Sequence, residues 1–436
     1  YPVLAGLQPD LYRCFMTQCW RHNSPRGMTA LIHLESHFTD DKAGLLREQT
    51  YQRLRRHWQF INELKLFEIQ DQKTFGVNIY GSAKEPGFLH AVSLYHPETV
   101  IRSLRHDGTG PEPGIKDDEG KWDLRPHSAR IMVVDDRVLQ SWAELVEGDR
   151  TVGRRTRMVY TVNRSVSDVL TKLTNAPQVG DLKPRFSHGW HESIDRKKGY
   201  FDISWGTVPA WADAILQGPH LYVSTPFYKS PNQTMRNHLD WSDVDLEALP
   251  PDALPVTAYK PTGDRQRYDA DFTTWEAVDD SGERRRVSAR DCYRVAWRSM
   301  AANTGERTLI PAIIPPGAAH INAVHSCALT GDGAILLPSL AAVVSSLIAD
   351  FAVRVAPKSG IPAGTVARLP FTNNERFHDV LALRSLRLNC MTAAFSDLWQ
   401  RTFSESMTQD DWAGGYAHNR RRPLGEVGPE WTPDTP

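Results

Sequence analysis

Arginine is the residue type in this sequence whose spacing points most directly to chemistry, and its densest group lies between positions 284 and 307, beside Tyr293 and Trp297. A planar guanidinium group can bind the paired acceptors of a guanine edge or the oxygens of a phosphate. Surface charge balanced by Glu283, Asp291 and Glu306 is the alternative. The side chains of this group that we expect to contact a nucleic acid are Arg284, Arg285, Arg286, Arg294, Arg298 and Arg307.

Two further sets of basic residues could bind phosphate, which supplies the sequence-independent share of affinity for DNA. The first lies on a segment of helical spacing from Leu45 to Trp58, and a solvated helix face is the alternative. Its members are Arg47, Arg53, Arg55 and Arg56. The second lies in Pro-rich loops, where recognition residues often occur. Its members are Lys229, Arg236, Lys260, Arg265 and Arg267.

A metal site is the other chemistry to weigh, because His188, His191 and Glu192 lie close together and His and Glu are zinc ligands. Gly189 interrupts a helical frame, and a further ligand is not evident in the sequence. We therefore predict a turn with a hydrogen-bonded histidine and no metal. A Ser-His-Asp arrangement and a nuclease-type set of carboxylates and lysine are not evident either.

The composition is that of a globular protein, with 436 residues of which 40% are hydrophobic and 24% charged, long enough for two or three domains. Because the net charge is -1, a nucleic-acid interface must depend on local basic clusters. Five cysteines without a Cys-x-x-Cys pair fit a reducing compartment, and we predict a cytoplasmic protein. The apolar stretch from Ala334 to Val353 contains Asp350, so we expect a buried helix and no membrane partner.

The spacing of apolar residues predicts an α/β organisation for residues 1–100. We expect a helix over Leu11–Trp20, a strand over Met28–Leu34, and neighbouring strands over Phe75–Tyr80 and Leu89–Tyr95. Three further segments follow. A connector rich in Gly and Pro is expected over 101–150, an α+β module with long loops over 151–371, and a C-terminal helix and tail over 372–436.

The order of these elements resembles that of large bacterial DNA adenine-N6 methyltransferases, the single-chain type IIG restriction-modification enzymes and their phage-defence relatives. Residues 21–95 are similar to the second half of their catalytic domain, through the turn ending in Gly27, the strand to Leu34, the Leu46-Arg47 helix and the strand Phe75–Tyr80. The resemblance implies the end of a Rossmann-like methyltransferase sheet over residues 1–100.

Residues 151–371 are similar to the target-recognition domain of the same enzymes. The resemblance rests on Gly189–Glu192, the Gly218-Pro219-His220 turn, and the run from Cys292 to Met300 that leads into the apolar segment Leu309–Ile314. It implies an α+β domain with long loops that binds double-stranded DNA, and other restriction or phage-defence subunits as further partners.

Two motifs of that family do not occur in the sequence. One is the Gly-rich loop that binds S-adenosylmethionine, and the other is the Asn/Asp-Pro-Pro-aromatic loop that holds the flipped adenine; Ser224–Tyr228 lacks the tandem proline and the amide. In the family both motifs precede the part that this chain resembles, and the chain opens on Tyr1 rather than Met. We therefore expect a C-terminal portion of a longer enzyme, inactive alone, with S-adenosylmethionine bound mainly by upstream residues. The alternative is a non-catalytic specificity or scaffold subunit that works with a separate catalytic partner.

Phe67 and Phe75 flank a polar loop at the end of the implied catalytic sheet. A target adenine must leave the base stack before it is methylated, and an aromatic wall lowers the cost of that unstacking. The resemblance therefore makes these two rings the candidates for the wall. The alternative is that both rings anchor strands in the core.

Overall fold

The computed structural model describes most of the chain. Residues outside this description are 1, 9, 148–150, 279–283, 302–304, 356–359, 373 and 412–422, together with the side chains of 277, 278, 284 and 332.

The protein is a mixed α/β structure with several small sheets, and it divides into two compact units. Unit 1 comprises Tyr1–Ala176 and Val355–Pro357, and unit 2 comprises Pro177–Arg354 and Lys358–Pro436. The division falls at residues 176 and 177, beyond the boundaries expected at 100 and 151.

Unit 1 holds six α-helices and a single five-stranded sheet among its described residues. In chain order its elements are α1 Leu11–His22, β1 Thr29–Leu34, α2 Ser36–Thr39, α3 Gly44–Arg53, β2 Leu54–Ile61, β3 Thr74–Tyr80, β4 Gly87–Leu94, α4 Pro97–Ser103, β5 Met132–Asp135, α5 Asp136–Val146 and α6 Arg164–Thr174.

The sheet of unit 1 has the strand order β1-β3-β2-β4-β5. β3 lies between β1 and β2 and is antiparallel to both, with Val77 opposite Ile32 on one side and Trp58 on the other. β1 and β2 therefore run parallel, and α2 and α3 connect them. β4 pairs in parallel with β2, where His57 lies opposite His90, and β5 is antiparallel to β4.

Helices cover the two faces of this sheet unequally. α1, α3 and α5 pack on the face that carries His57 and His90; Tyr51 of α3 stacks on Phe88, and Trp142 of α5 meets His90 edge-on. On the opposite face, Trp58 and its neighbours form a small core with Val100 of α4.

The expected connector over 101–150 is part of this sheet unit instead. β5 pairs with β4 from Gly87 opposite Asp135 to His90 opposite Met132. α5 begins after Asp135, whose carboxylate accepts two backbone N–H groups of the first turn. The Gly- and Pro-rich composition describes only the loop before β5, so it did not mark a domain boundary.

The helix expected from Leu45 to Trp58 ends at Arg53, and Leu54–Ile61 is strand β2. Leu54 and Trp58 are four residues apart, a spacing that a helix and a strand satisfy equally well. The strand gains ladder hydrogen bonds to β3 and β4. β2 also separates the strands that we expected to be neighbours, because β3 and β4 lie on its two sides.

Unit 2 contains short strands joined by long loops, then helices. Its elements are β6 Arg185–Ser187, α7 Glu192–Lys197, β7 Phe201–Thr207, β8 Ile215–Leu216, β9 Lys229–Pro231, β10 Trp241–Asp243, β11 Val256–Pro261, α8 Arg265–Asp271, β12 Thr274–Val278, β13 Arg284–Ser288, β14 Arg294–Arg298, β15 Pro311–Ile314, β16 Ala319–His320, β17 Val324–Ala328, α9 Leu337–Ser345, α10 Leu347–Arg354, α11 Ala363–Ala367, α12 His378–Asn389 and α13 Ser396–Thr402.

The largest sheet of unit 2 has the strand order β15-β14-β17-β6; α9 packs against it, and α12 packs on α9. Its core includes Trp297 of β14, Leu340 of α9 and Trp399 of α13, all with less than 1% exposure. The remaining strands form two-stranded sheets, including the β12–β13 hairpin. β14 is therefore a central strand, whereas β12 and β13 pair only with each other within the described residues.

The apolar stretch Ala334–Val353 forms two helices rather than one. The helical segments Gly333–Ser345 and Leu347–Arg354 meet at 58°. Among the described residues, this bent pair has the length and composition for a membrane crossing, and none of the single helices does. Within unit 2, Leu340 and Ala349 of the pair belong to the main core.

Candidate nucleic-acid interface

The loop between β2 and β3 is held in shape by Asn62, which is fully buried. Its Nδ2 donates to the carbonyl oxygens of Phe67 at 2.9 Å and Ile69 at 3.0 Å, and its Oδ1 accepts from the N–H of Phe67 at 3.0 Å. Polar groups that would otherwise be unpaired are satisfied inside the loop. We call residues 62–73 the Phe67 loop.

The two wall candidates have different environments. Phe75 is 5% exposed and stacks on Phe60 at 5.6 Å between ring centroids. Phe67 is 43% exposed and meets Phe75 edge-on at 4.9 Å and 84°. Phe75 is thus a core residue that supports the ring of Phe67, and only Phe67 presents an aromatic surface. Leu64 and Ile69, 45% and 48% exposed, extend this apolar surface.

Arg47 lies in the interior of unit 1, with 2% exposure. Its guanidinium donates to the backbone oxygens of Arg155 at 2.8 Å, His37 at 3.2 Å and Asp40. Burial lowers the pKa of its guanidinium. The expected contact with DNA phosphate is wrong for Arg47, because its donors are used by the protein's own backbone.

The other arginines of this group lie at the end of α3 and on β2. Arg53 packs over Trp20 at 5.2 Å, and Arg55 donates to carbonyl groups at the α3–β2 junction and to that of Ser82. Arg56 is exposed, and its side chain makes no hydrogen bond or ion pair in the part of the chain that the structure describes. Because successive strand residues face opposite sides, the three arginines do not form one basic face.

Two of the loop lysines expected to bind DNA have partners within unit 2. Lys229 forms an ion pair with Asp243 at 3.1 Å. Lys260 donates to the backbone oxygen of Gly206 at 2.5 Å, and burial lowers its pKa. Arg236 is exposed, in a loop whose turn is capped by Asp240. Of these three residues, Arg236 is the one that remains available for a phosphate.

Arg265 and Arg267 lie on α8 and are held by acidic and aromatic neighbours. Arg265 pairs with Asp213 at 2.5 Å and Asp269 at 3.2 Å. Arg267 donates to the hydroxyl of Tyr200 at 3.2 Å and lies over its ring at 4.6 Å from the centroid. The side chain of Arg267 is still 54% exposed, so it can reach solvent beside this contact.

Arg294 of β14 is fully buried. Its guanidinium donates to the backbone oxygen of Ala318 and, at 3.4 Å, to that of Cys292. Burial lowers the pKa of Arg294 to about 9. A residue on a central strand with buried neighbours on both sides cannot reach a duplex, so the expected DNA contact is wrong here.

Arg298 and Arg307 also bind the interior of unit 2. Arg298 donates to the carbonyl oxygen of Leu221 through Nε at 3.1 Å and through a terminal nitrogen at 2.5 Å. Arg307 donates to the carbonyl oxygen of Ser345 at 2.7 Å and lies 3.5 Å from the buried carboxylate of Asp350. These contacts stabilise the fold and leave neither guanidinium directed at a partner.

The β12–β13 hairpin presents the exposed arginines of the cluster. Arg286 lies opposite Glu276 and donates to the hydroxyl of Thr274 at 2.7 Å. Arg285 lies opposite Ala277, and both arginines are exposed. The side chain of Arg284 lies outside the described residues. A two-stranded antiparallel ribbon is a shape that the DNA major groove can admit.

Residues 188–191, where we predicted a turn, connect β6 to α7, and Glu192 is the first residue of that helix. His191 precedes α7 and accepts from the N–H of Ile194 at 3.4 Å, and Glu192 accepts from the hydroxyl of Tyr259. Glu192 is thus engaged by a tyrosine rather than directed at a shared ion. Within the described residues there is no group of three His, Cys, Asp or Glu side chains placed to hold a metal.

A buried polar cluster in unit 1 was not anticipated from the sequence. Glu35 follows β1, and its Oε2 lies 2.8 Å from Nε2 of His57 and accepts from the hydroxyl of Tyr160 at 3.0 Å. Nδ1 of His57 lies 2.9 Å from Nδ1 of His90. Burial lowers the pKa of His90 well below its usual range. The contacts link β1, β2 and β4 through one chain of hydrogen bonds.

Gly76 makes room for this cluster, because a Cβ at that position would overlap the Glu35 carboxylate. Asn78 lies beside it on β3, fully buried, and neither of its amide atoms has a hydrogen-bond partner among the described residues. The alternation of His33, Glu35 and His37 is the sequence signal that could have indicated a polar face. Its long-range partners could not be inferred from spacing.

Comparisons with known proteins give little further information. No protein-family model matches the chain, and no curated protein matches it. One solved structure that it resembles is described as the type IIG restriction endonuclease BpuSI, at 11% sequence identity and a TM-score of 0.31. The match covers 92% of this chain and 48% of that one, so the chain spans about half the length of that structure. A TM-score of 0.31 does not establish a common fold.

Proposed function

We propose that this chain is the DNA-recognising portion of a site-specific DNA adenine-N6 methyltransferase that acts in restriction-modification or phage defence. The observation that carries the proposal is the Phe67 loop. It holds a half-exposed aromatic ring over a buried one, with its backbone fixed by Asn62. A rigid, exposed aromatic ring is what stacking on an unstacked base requires.

The position of the loop in the sheet supports the same proposal. β1, the connecting helices and β2 form a parallel crossover unit, as in a Rossmann-like sheet. Ligands of such sheets bind beyond the carboxyl ends of the parallel strands. The Phe67 loop begins at Asn62, directly after the carboxyl end of β2. Phe67 is therefore the wall candidate that we retain, and Phe75 its support.

DNA binding by unit 2 is proposed to use the outward-facing arginines. Arg285 and Arg286 on the β12–β13 hairpin and Arg236 in its loop are exposed. Phosphate contacts by such side chains position a protein on a duplex, and contacts to base edges specify the site. Other subunits of a restriction or phage-defence system remain further proposed partners.

S-adenosylmethionine would be the methyl donor of the complete enzyme, but the residues of this chain do not fit it. An acidic residue after a strand can hold a ribose hydroxyl in Rossmann-type sites. Glu35, which follows β1, is 6% exposed and is engaged by His57 and Tyr160. The cofactor is therefore proposed to bind mainly to residues upstream of this chain.

The purified 436-residue chain is expected to bind double-stranded DNA and to transfer no methyl group. Affinity should fall steeply with salt, because each phosphate contact releases counterions. A filter assay with labelled S-adenosylmethionine measures methyl transfer to the DNA. Methyl incorporation by this chain alone would contradict the assignment of the cofactor site to other residues.

Phe67→Ala in the full-length gene product should lower adenine methylation about 5- to 150-fold, since base stacking on an aromatic ring contributes about 1–3 kcal/mol. Leu104→Ala, at a similarly exposed apolar position of unit 1 outside this loop, is the matched control and should change methylation little. N6-methyladenine is read by single-molecule sequencing in a host that lacks adenine methylation. Equal methylation by both variants would remove Phe67 from the base site.

A non-catalytic specificity subunit is the second candidate, and the inward position of Glu35 favours it. Such a subunit would bind the same DNA and need a separate catalytic partner. Expression of the full-length gene alone separates the two candidates. Methylation of host DNA supports the methyltransferase, and methylation that requires a second gene supports the subunit.

A further inference from the structure

β1 is an edge strand of the unit 1 sheet, since its described pairing is with β3 alone. Its sequence Thr-Ala-Leu-Ile-His-Leu contains no Lys, Glu, Asp or Pro. Edge strands that face solvent are normally protected by charge, proline, a bulge or short length. β5 at the other edge follows this rule, with four residues ending in Asp135. β1 has the composition of a strand with neighbours on both sides.

Apolar side chains surround the open edge on both faces of the sheet. Ile32 and Leu34 of β1 are 58% and 46% exposed on one face. α1 covers the other face, where Tyr12 stacks on His33 at 5.2 Å. On its outer side α1 presents Leu11 and Phe15, one helical turn apart and 71% and 59% exposed. An exposed strand edge and an exposed helix stripe therefore lie together.

The chain direction identifies the side on which a further strand would lie. α1 and α3 pack on the same face of the sheet, α1 through Tyr12 on His33 and α3 through Tyr51 on Phe88. Parallel strand–helix–strand connections are right-handed in about 98% of cases. On one face of a sheet, right-handed connections all advance in the same direction. The step from β1 to β2 advances away from the open edge, so a strand before α1 would pair with that edge.

We propose that the open edge of β1 pairs with a parallel β-strand from a segment that precedes α1 in a longer polypeptide, and that a helix of that segment packs on Leu11 and Phe15. This inference rests on the proposed function, in which the chain is the end of a larger sheet. The helix is expected to be apolar on the side that meets α1. The segment would cover the apolar edge and satisfy its free backbone groups.

Hydrogen exchange at β1 tests the pairing. In the 436-residue chain, amides of residues 29–34 that do not bond to β3 should exchange within seconds. In the gene product that includes its upstream residues, the same amides should be protected at least 100-fold. Ile32→Lys should remove that protection, whereas Val133→Lys, at a similarly exposed position on β5, should leave it unchanged.

Three outcomes would overturn the proposal: equal exchange in the two products, protection that survives Ile32→Lys, or a gene that contains no upstream residues. In the last case, sedimentation velocity would show whether two copies pair through β1, with Ile32→Lys as the monomeric form. Hydrogen exchange at β1 is measured independently of adenine methylation. Protection of β1 without adenine methylation would keep the docking surface and reject the proposed function, and methylation without protection would do the reverse.

Discussion

Strand β14 and the β12–β13 hairpin take their arginines from the same cluster in the sequence and place them in opposite environments. Arg294 and Arg298 of β14 donate to backbone oxygens of unit 2. Arg285 and Arg286 of the hairpin are exposed. β14 lies between β15 and β17, whereas the hairpin strands pair only with each other among the described residues.

The difference shows that burial decides what an arginine can bind. The guanidinium of Arg294 is fully buried, so its donors must be satisfied inside the protein. Arg285 and Arg286 are exposed, so their side chains can reach a partner. A count of arginines in a stretch of sequence therefore overstates the basic surface.

The largest effect is expected when the buried carboxylate of Asp350 is removed. This carboxylate lies beside Arg307, one of the arginines that bind the interior of unit 2. Its Oδ1 accepts from the N–H groups of Thr308 and Leu309, both at 2.7 Å, and lies 3.5 Å from Arg307. Asp350→Ala would leave two buried donors and an unbalanced cation, at a cost of about 3–5 kcal/mol. Chemical denaturation measures this loss. Asp252→Ala, at an exposed position, should change stability by less than about 0.5 kcal/mol.

If Asp350→Ala lowers the free energy of unfolding by less than about 1 kcal/mol, the contact between Asp350 and Arg307 does not stabilise the fold. Arg307 would then again be a candidate for DNA binding. Asp350→Asn keeps one acceptor oxygen and is expected to lie between the wild type and the alanine variant.

Acidification should destabilise unit 2 through its buried histidines. Burial lowers the pKa of His220 to about 4 and that of His320 to about 3, while both rise to about 6.5 on unfolding. Above pH 6.5 both histidines are neutral in the folded and in the unfolded chain, so pH does not change the free energy of unfolding through them. Below pH 6.5 these histidines bind protons only in the unfolded chain. The free energy of unfolding therefore falls by about 1.4 kcal/mol per pH unit for each histidine.

Thermal melts between pH 7 and pH 5 measure this slope. His220→Gln should reduce it, and His238→Gln, at an exposed position, should not. A stability that is constant over this range in the wild type would show that these rings are solvated.

Much of unit 1 could be predicted from local spacing. The strands near Met28–Leu34 and Phe75–Tyr80 and the helix near Leu11–Trp20 are present with small shifts of their ends. Leu54–Trp58 was predicted as helix because its apolar spacing fits both structures, and only pairing with β3 and β4 decides between them. The strand order depends on such pairings, so it could not be predicted from neighbouring residues.

The candidate site was predicted only in part, for the same physical reason. The sequence proposed both Phe67 and Phe75 for the wall, but only Phe67 is exposed, and the burial of Phe75 depends on Phe60, which belongs to another strand. Burial of Arg47 depends on acceptors that are distant in the sequence, such as the carbonyl group of Arg155. Sequence shows which donors exist, and the fold determines where their acceptors lie.

The proposed recognition of DNA through the exposed arginines is tested most directly by the salt dependence of duplex binding. Each phosphate contact contributes about 1 to the slope of log affinity against log salt. Fluorescence anisotropy with a labelled duplex at several salt concentrations measures the slope for the wild type, for the double variant Arg285→Gln with Arg286→Gln, and for Arg298→Ala. We predict a slope lower by about 1 in the double variant, because Arg285 and Arg286 are successive strand residues that face opposite sides of the hairpin, and an unchanged slope in Arg298→Ala despite its lower stability. An unchanged slope in the double variant, or no binding by the wild type at low salt, would contradict the account.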